Sequence, residues 1–101
     1  MNIAQYKNGF MEISGTESHV VPTSAYTQIG TSGIWYARFG NVEFPIPFIN
    51  TPIVIFNASS TGVNFSLNSI PTPTGFNPWI GQYGGTERVI SVYFSAIGYY
   101  K

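Results

Sequence analysis

Apolar residues recur along this chain at every second position, in short runs cut by Gly, Pro, Asn and Thr. The three-and-four spacing of an amphipathic helix is not sustained anywhere without a Gly or Pro interrupting it. "GFMEISG" (Gly9–Gly15) sets Phe10 and Glu12 against Met11 and Ile13, and "YTQIG" (Tyr26–Gly30) is a shorter run of the same kind. "GIWYARFG" (Gly33–Gly40) opposes Trp35, Ala37 and Phe39 to Ile34, Tyr36 and Arg38. "NVEFPIPF" (Asn41–Phe48) lines up Val42, Phe44, Ile46 and Phe48, and "GVNFSLNSI" (Gly62–Ile70) alternates Val63, Phe65 and Leu67 with polar residues. The closing run "RVISVYFSAIGYYK" (Arg88–Lys101) carries Val92, Phe94 and Ala96 on one face. Such spacing predicts short strands with no helix between them, hence an all-β fold, a small antiparallel β-sandwich.

Three details refine that expectation. "TPIVIFN" (Thr51–Asn57) is continuously apolar, which predicts a strand buried on both faces. Pro45 and Pro47 lack ladder donors, so their segment is predicted to be an edge, bulged or kinked, with any partner strand supplied by another chain. "TESHVVPTSA" (Thr16–Ala25) and "PTPTGFNPWIGQYGGTE" (Pro71–Glu87) are predicted to be long connections, the second with three prolines and four glycines. The last strand must be paired inside a sheet, because an untied terminus frays.

Composition changes the picture of the surface. Of 101 residues only 8% are charged while 17% are aromatic, against about a quarter charged in an ordinary globular domain. Four basic residues balance four acidic ones, so no basic patch faces phosphates and nucleic acid is not an expected partner. A surface this neutral is expected to be covered by neighbouring subunits or to meet neutral ligands. No apolar run reaches the roughly 20 residues of a membrane span and no signal-peptide pattern opens the chain, so neither membrane insertion nor ordinary export is expected.

Chemistry is sparse. The chain has no Cys and no Asp and a single histidine, His19, expected in a loop. Nucleophilic triads, thiolate catalysis and Cys-type zinc sites therefore lack their residues, and no enzyme activity, metal ion or cofactor is expected. Glu12 and Glu43 are expected to face solvent, and Arg38 and Arg88 to pair with Glu43 or Glu87 across strands or across subunits.

The order of several motifs resembles the C-terminal domains of bacteriophage tail fibres, which are similar in turn to the H-type lectin domain of invertebrate agglutinins. The likeness is carried by "EFPIPFINTPIVIFNAS" (Glu43–Ser59), "TGF" (Thr74–Phe76) and "FSAIGYY" (Phe94–Tyr100), with "NGFMEISG" (Asn8–Gly15) similar to the family's first strand. Phe44, Pro45 and Phe48 match its "F-P-x-x-F" strand, Pro52 and Val54 the start of the next, and Ala96, Gly98 and Tyr99 the last. Phe94 stands where the family carries a tryptophan. The resemblance implies an H-type-lectin-like sandwich over residues 8–101 after a lead of residues 1–7, assembled as a homotrimer at a virion's tail-fibre tip. Its implied partners are other tail-fibre or baseplate proteins and a bacterial surface glycan or lipopolysaccharide.

The candidate binding segment is the loop expected at Phe76–Arg88. Trp79 and Tyr83 offer aromatic faces for sugar rings, and Gln82 and Arg88 offer hydrogen bonds to hydroxyls. The competing structural reading has Trp79 plugging the end of the sandwich and Tyr83 packing at a subunit interface.

Overall fold

Two strands of twelve residues organise the molecule: β2 (Phe10–Val21) and β10 (Arg88–Tyr99), which pair antiparallel over their whole length, from Arg88 opposite Val21 to Tyr99 opposite Phe10. The computed structural model describes residues 1–58, 63–67 and 70–101. The other described strands are β1 (Asn2–Gln5), β3 (Thr27–Gln28), β4 (Ile34–Arg38), β5 (Val42–Glu43), β6 (Ile53–Ala58), β7 (Val63–Leu67), β8 (Gly75–Phe76) and β9 (Pro78–Tyr83). Sheet A has the order β1-β2-β10-β6, sheet B the order β3-β4-β9-β7, and β5 pairs with β8. All pairings are antiparallel, and the only helical turn among the described residues is a 3-10 turn at Thr23–Ala25. The sheets pack as a small sandwich-like all-β domain.

The unbroken register fixes which side chains of the long pair face inward. Met11, Ile13, Val21, Ile90, Val92, Phe94 and Ala96 are buried, and their neighbours in sequence point out. A relay of aromatic rings runs through the interior from one end to the other. Phe48 packs on Phe44, Phe44 on Phe76 and Phe94, Phe76 on Phe56, Phe56 on Phe65, and Phe65 on Phe39, with centroids 5.3 to 6.4 Å apart. The relay ends where His19 stacks on Phe39 at 4.3 Å. Rings at these separations contribute roughly 0.5–1.5 kcal/mol per pair beyond their burial.

Several expectations are corrected. The expected connection Thr16–Ala25 is strand as far as Val21, so His19 lies on β2 and not in a loop. Thr16–His19 are polar, but β10 supplies a continuous ladder for their backbone, which periodicity does not register. The expected connection Pro71–Glu87 contains β8 and β9, and β9 is an interior strand of sheet B. Pro78 is tolerated as its first residue, where the missing donor costs no ladder bond.

The segment Asn41–Phe48 is strand only at Val42–Glu43. Beyond Glu43 the prolines break the ladder, yet the apolar stripe holds: Phe44 and Phe48 are buried while Pro45 and Pro47 are exposed. The amides of Phe44 and Phe48 donate to Thr74 O at 2.8 Å and Pro73 O at 2.9 Å, so this edge leans on its own chain. Thr51–Asn57 is not buried on both faces. Its strand β6 ends sheet A, and Ile53 and Ile55 are 65% and 66% exposed. Of the expected strand Gly62–Ile70, Gly62, Asn68 and Ser69 lie outside the described residues, as does Ser59 of the motif run.

Both ends are tied down. The stretch expected as a lead supplies β1, whose Ile3 and Gln5 sit opposite Ile13 and Met11. Tyr99 O accepts from Ile49 N, Tyr100 N donates to Gly9 O, and the Tyr100 hydroxyl donates to Tyr6 O, each at 2.8 Å. Gly9 adopts φ +94°, and a Cβ there would stand 2.6 Å from Lys101 O, so the turn into β2 requires glycine. The molecule is long, 51 × 20 × 17 Å, with a radius of gyration of 14.9 Å against about 13 Å for a compact chain of this length.

Deleting Ser95–Lys101 removes Ala96, the Tyr100 bonds and the end of β10 that pairs with both β2 and β6. Burial of each larger side chain is worth about 1.5–3 kcal/mol and total stability only about 5–15 kcal/mol, so the truncated chain is expected to be unfolded by circular dichroism at 25 °C. Deleting Met1–Gln5 removes one exposed edge strand and is expected to lower Tm by roughly 5–10 °C. Equal tolerance of both deletions overturns the central place of β10.

Candidate functional site

The outward positions of sheet B form one surface. β4 contributes Ile34, Tyr36 and Arg38; β9 contributes Trp79, Gly81 and Tyr83; β7 contributes Asn64 and Ser66. Register puts Tyr36 and Asn64 on either side of Gly81, and Arg38 and Ser66 on either side of Trp79. Gly81 has no side chain to fill the middle of the sheet, so an open depression of about 420 Å³ forms there, lined by Ile29, Tyr36, Asn64, Ser66, Trp79 and Gly81.

The rings around it are held in place. Tyr36 and Trp79 lie 5.2 Å apart at 37°, and the Arg38 guanidinium sits 5.6 Å above the indole. A cation over an indole contributes about 0.5–1 kcal/mol at an exposed site and fixes the ring's tilt. The indole Nε1 is buried and has no hydrogen-bond partner, so its N–H is turned away from the surface. Tyr83, 80% exposed, stands on the other side of Gly81 along β9. Arg38 is the only charged residue on these outward positions. The surface combines aromatic faces, an amide, a hydroxyl and one guanidinium, which suits ring-stacking with hydrogen bonds to hydroxyl groups.

The four sequence-predicted site residues are divided by the strand. Trp79 and Tyr83 share the outer face of β9, whereas Gln82 alternates inward and is 3% exposed. Its Nε2 donates to Gly84 O at 2.9 Å and Thr86 O at 3.4 Å, so it shapes the turn after β9. Arg88 opens β10 opposite Val21, away from Trp79, with its charge acting on Tyr26. The expected loop Phe76–Arg88 is thus corrected to a strand followed by a short turn. Tyr36, Arg38, Asn64 and Ser66 were missed. Their alternation on Gly33–Gly40 and Gly62–Ile70 was legible, but nothing along the chain shows that β9 lies between β4 and β7.

Within one chain, Arg38 and Arg88 form no ion pair with Glu43 or Glu87 among the described residues. Among the described residues the ion pair is His19–Glu17, with Nε2 3.2 Å from Glu17 Oε1. His19 Nδ1 lies 2.8 Å from Phe39 O. Gly40, at φ +114°, lets the chain turn beneath the ring, where a Cβ would lie 2.9 Å from Nδ1. His19 is therefore a clamp between β2 and the end of β4. Trp35 faces inward with Gly85 against its ring, and Tyr36 is the outward member of that pair.

A second hollow of about 240 Å³ lies beside β5 and β8, lined by Asn41, Glu43, Thr72, Thr74 and Asn77 among others. It holds no aromatic platform comparable to Tyr36 and Trp79, and among the described residues no three His, Asp or Glu side chains gather to hold a metal ion.

A comparison with known protein families finds no match, and no curated protein matches the chain.

Two expected outcomes follow from the buried polar groups near this site. Gln82→Ala leaves the turn carbonyls of Gly84 and Thr86 without their donor and is expected to cost about 1–3 kcal/mol in urea unfolding. A variant as stable as the parent removes Gln82's structural role. Tyr26 is buried, its hydroxyl lacks a partner, and desolvation pushes its pKa above the usual tyrosine value, with the Arg88 charge opposing. The unfolded chain then ionises first, so stability is full below about pH 10 and falls as pH rises beyond it. Tyr26→Phe is expected to leave Tm at pH 7 no lower and to flatten that alkaline loss; an unchanged alkaline slope contradicts the assignment.

Proposed function

We propose that this chain is the distal domain of a phage or prophage tail fibre, assembled as a homotrimer in the virion, that binds a host-surface glycan through the outer face of sheet B. The observation that carries the reading is the row of Tyr36, Trp79 and Tyr83 around the open floor at Gly81, with Arg38, Asn64 and Ser66 beside it. Pyranose rings offer an apolar face to aromatic side chains and hydroxyls to amides and guanidinium groups. The elongated shape and the neutral surface support a module that packs beside copies of itself. The motif order of Glu43–Ser59, Thr74–Phe76 and Phe94–Tyr100 supports the tail-fibre and H-type-lectin resemblance, and other tail-fibre or baseplate proteins are the proposed structural partners. A bacterial glycan or the sugar portion of lipopolysaccharide is the proposed ligand class, with no cofactor and no catalytic step.

A second reading, a purely structural module that ends a fibre, is favoured by the Arg38–Trp79–Tyr36 stack, whose members pack on one another without any ligand. Tyr83 separates the two because its side chain is so exposed that its removal leaves the fold intact. Tyr83→Ala and Trp79→Ala are expected to keep the oligomer mass and to lower adsorption to a susceptible bacterial strain on the order of tenfold, the equivalent of about 1.4 kcal/mol. With one charge on the face, adsorption should change little between low and physiological salt. Unchanged adsorption by both folded variants overturns the sugar-binding reading, and loss of oligomer mass by either supports the structural one.

A further inference from the structure

Gly81 stands in the interior of β9, where glycine is less favourable than alanine by roughly 0.5–1 kcal/mol. Gly9 and Gly40 are required by positive φ and by close neighbours, but Gly81 is required by neither. Among the described residues, a Cβ at Gly81 would meet nothing nearer than Trp35 O at 3.9 Å, an ordinary contact. Its register with β4 on one side and β7 on the other is unbroken, so it marks no bulge. A glycine of this kind inside a strand marks a place that something approaches closely. The outer side of Gly81 is the open depression of sheet B, so what approaches there is a ligand.

A smaller hollow of about 90 Å³ adjoins that depression, lined by Ile34, Asn64, Gly81 and Tyr83 among others. The two share Asn64 and Gly81, so they meet over the glycine floor. Ligand pockets commonly enclose about 300–1,000 Å³, so the hollow of 420 Å³ holds the body of a ligand and that of 90 Å³ only an extension of it. Rings stand at both ends, Trp79 with Tyr36 in the larger hollow and Tyr83 in the smaller. At about 3.3 Å per residue along β9, Trp79 and Tyr83 are roughly 13 Å apart, more than one pyranose ring spans. On the sugar-binding reading of this face, we infer that the two hollows are successive subsites of one groove, which takes at least two linked sugars of a surface polysaccharide. One sugar lies against Trp79 and Tyr36 with its hydroxyls toward Arg38, Asn64 and Ser66. The next lies over Tyr83 and Ile34, and the link between them passes above Gly81. A single sugar occupies only the larger hollow, so affinity rises with chain length until both are filled.

The test uses the whole chain and the surface polysaccharide of a susceptible strain, released from its lipopolysaccharide by mild acid and sorted into pools of one, two and four sugars. Titration calorimetry is expected to show the two-sugar pool binding about tenfold more tightly than the one-sugar pool, with a smaller further gain at four. Gly81→Val puts a side chain where the link passes, and valine suits a strand. Gly81→Val and Tyr83→Ala are each expected to cut the gain from length to less than about threefold, whereas Val20→Ala, at an exposed position of sheet A, keeps it. Far-UV circular dichroism checks that each variant folds. If Gly81→Val does not, Tyr83→Ala decides, because its parent side chain is 80% exposed. Equal binding of the one- and two-sugar pools by the parent overturns the paired subsites and leaves the sugar-binding reading standing. A gain from length that survives in the folded variants overturns the path over Gly81 to Tyr83. Binding of no pool overturns the sugar-binding reading and this inference with it.

Discussion

The pairing of β2 with β10 is the constraint on which the rest of the structure depends. Twelve consecutive pairs join a strand near the start of the chain to one near its end, so everything between them must leave sheet A and return. The excursion through β3, β4, β7 and β9 builds the second layer, and β6 returns to extend the first. Contacts of such sequence separation cost loop entropy before they give anything back, so they form only if both strands bury a full apolar face. Met11 and Ile13 on one strand and Ile90, Val92, Phe94 and Ala96 on the other meet that requirement. The aromatic relay from Phe48 to His19 then joins the layers along the length of the pair.

The two outer surfaces are products of that arrangement and differ in chemistry. Sheet B presents aromatic faces with an amide, a hydroxyl and a guanidinium around a glycine floor, a surface that suits a hydroxyl-rich ligand. Sheet A presents Ile53, Ile55, Tyr93 and Tyr99 on its outer side, a more apolar surface. The clamp at His19 lies between them, holding β2 to the corner where β4 turns at Gly40.

Charge poverty connects these features. With so few ionic groups, the described structure holds together by ring packing, β-ladders and the bonds of Tyr99 and Tyr100 to Ile49, Gly9 and Tyr6. Arg38 is used on an indole and His19 on a carbonyl and a carboxylate, each within a packed local cluster. Surface ion pairs would add only about 0–1 kcal/mol each, so little stability is given up by their scarcity.

Much of the fold was legible in the chain because strand periodicity is a local property. Alternation at Gly9–Gly15, Gly33–Gly40 and Arg88–Lys101 determined an all-β domain, its inward residues and the buried phenylalanines. The rest was decided by tertiary structure. The polar run Thr16–His19 became strand because β10 offered it a ladder, and Pro78–Tyr83 became an interior strand because β4 and β7 flank it. Once it was a strand, alternation turned Gln82 into the interior and left Trp79 and Tyr83 outside. Ile53 and Ile55 read as core by hydrophobicity but are exposed because alternation puts them on the outer side of sheet A, with Tyr93 and Tyr99. Composition determined that this chain has little chemistry and a neutral surface. Which aromatic residues share a face depends on which strands become neighbours, and strand order is set by contacts distant in sequence that no local pattern encodes.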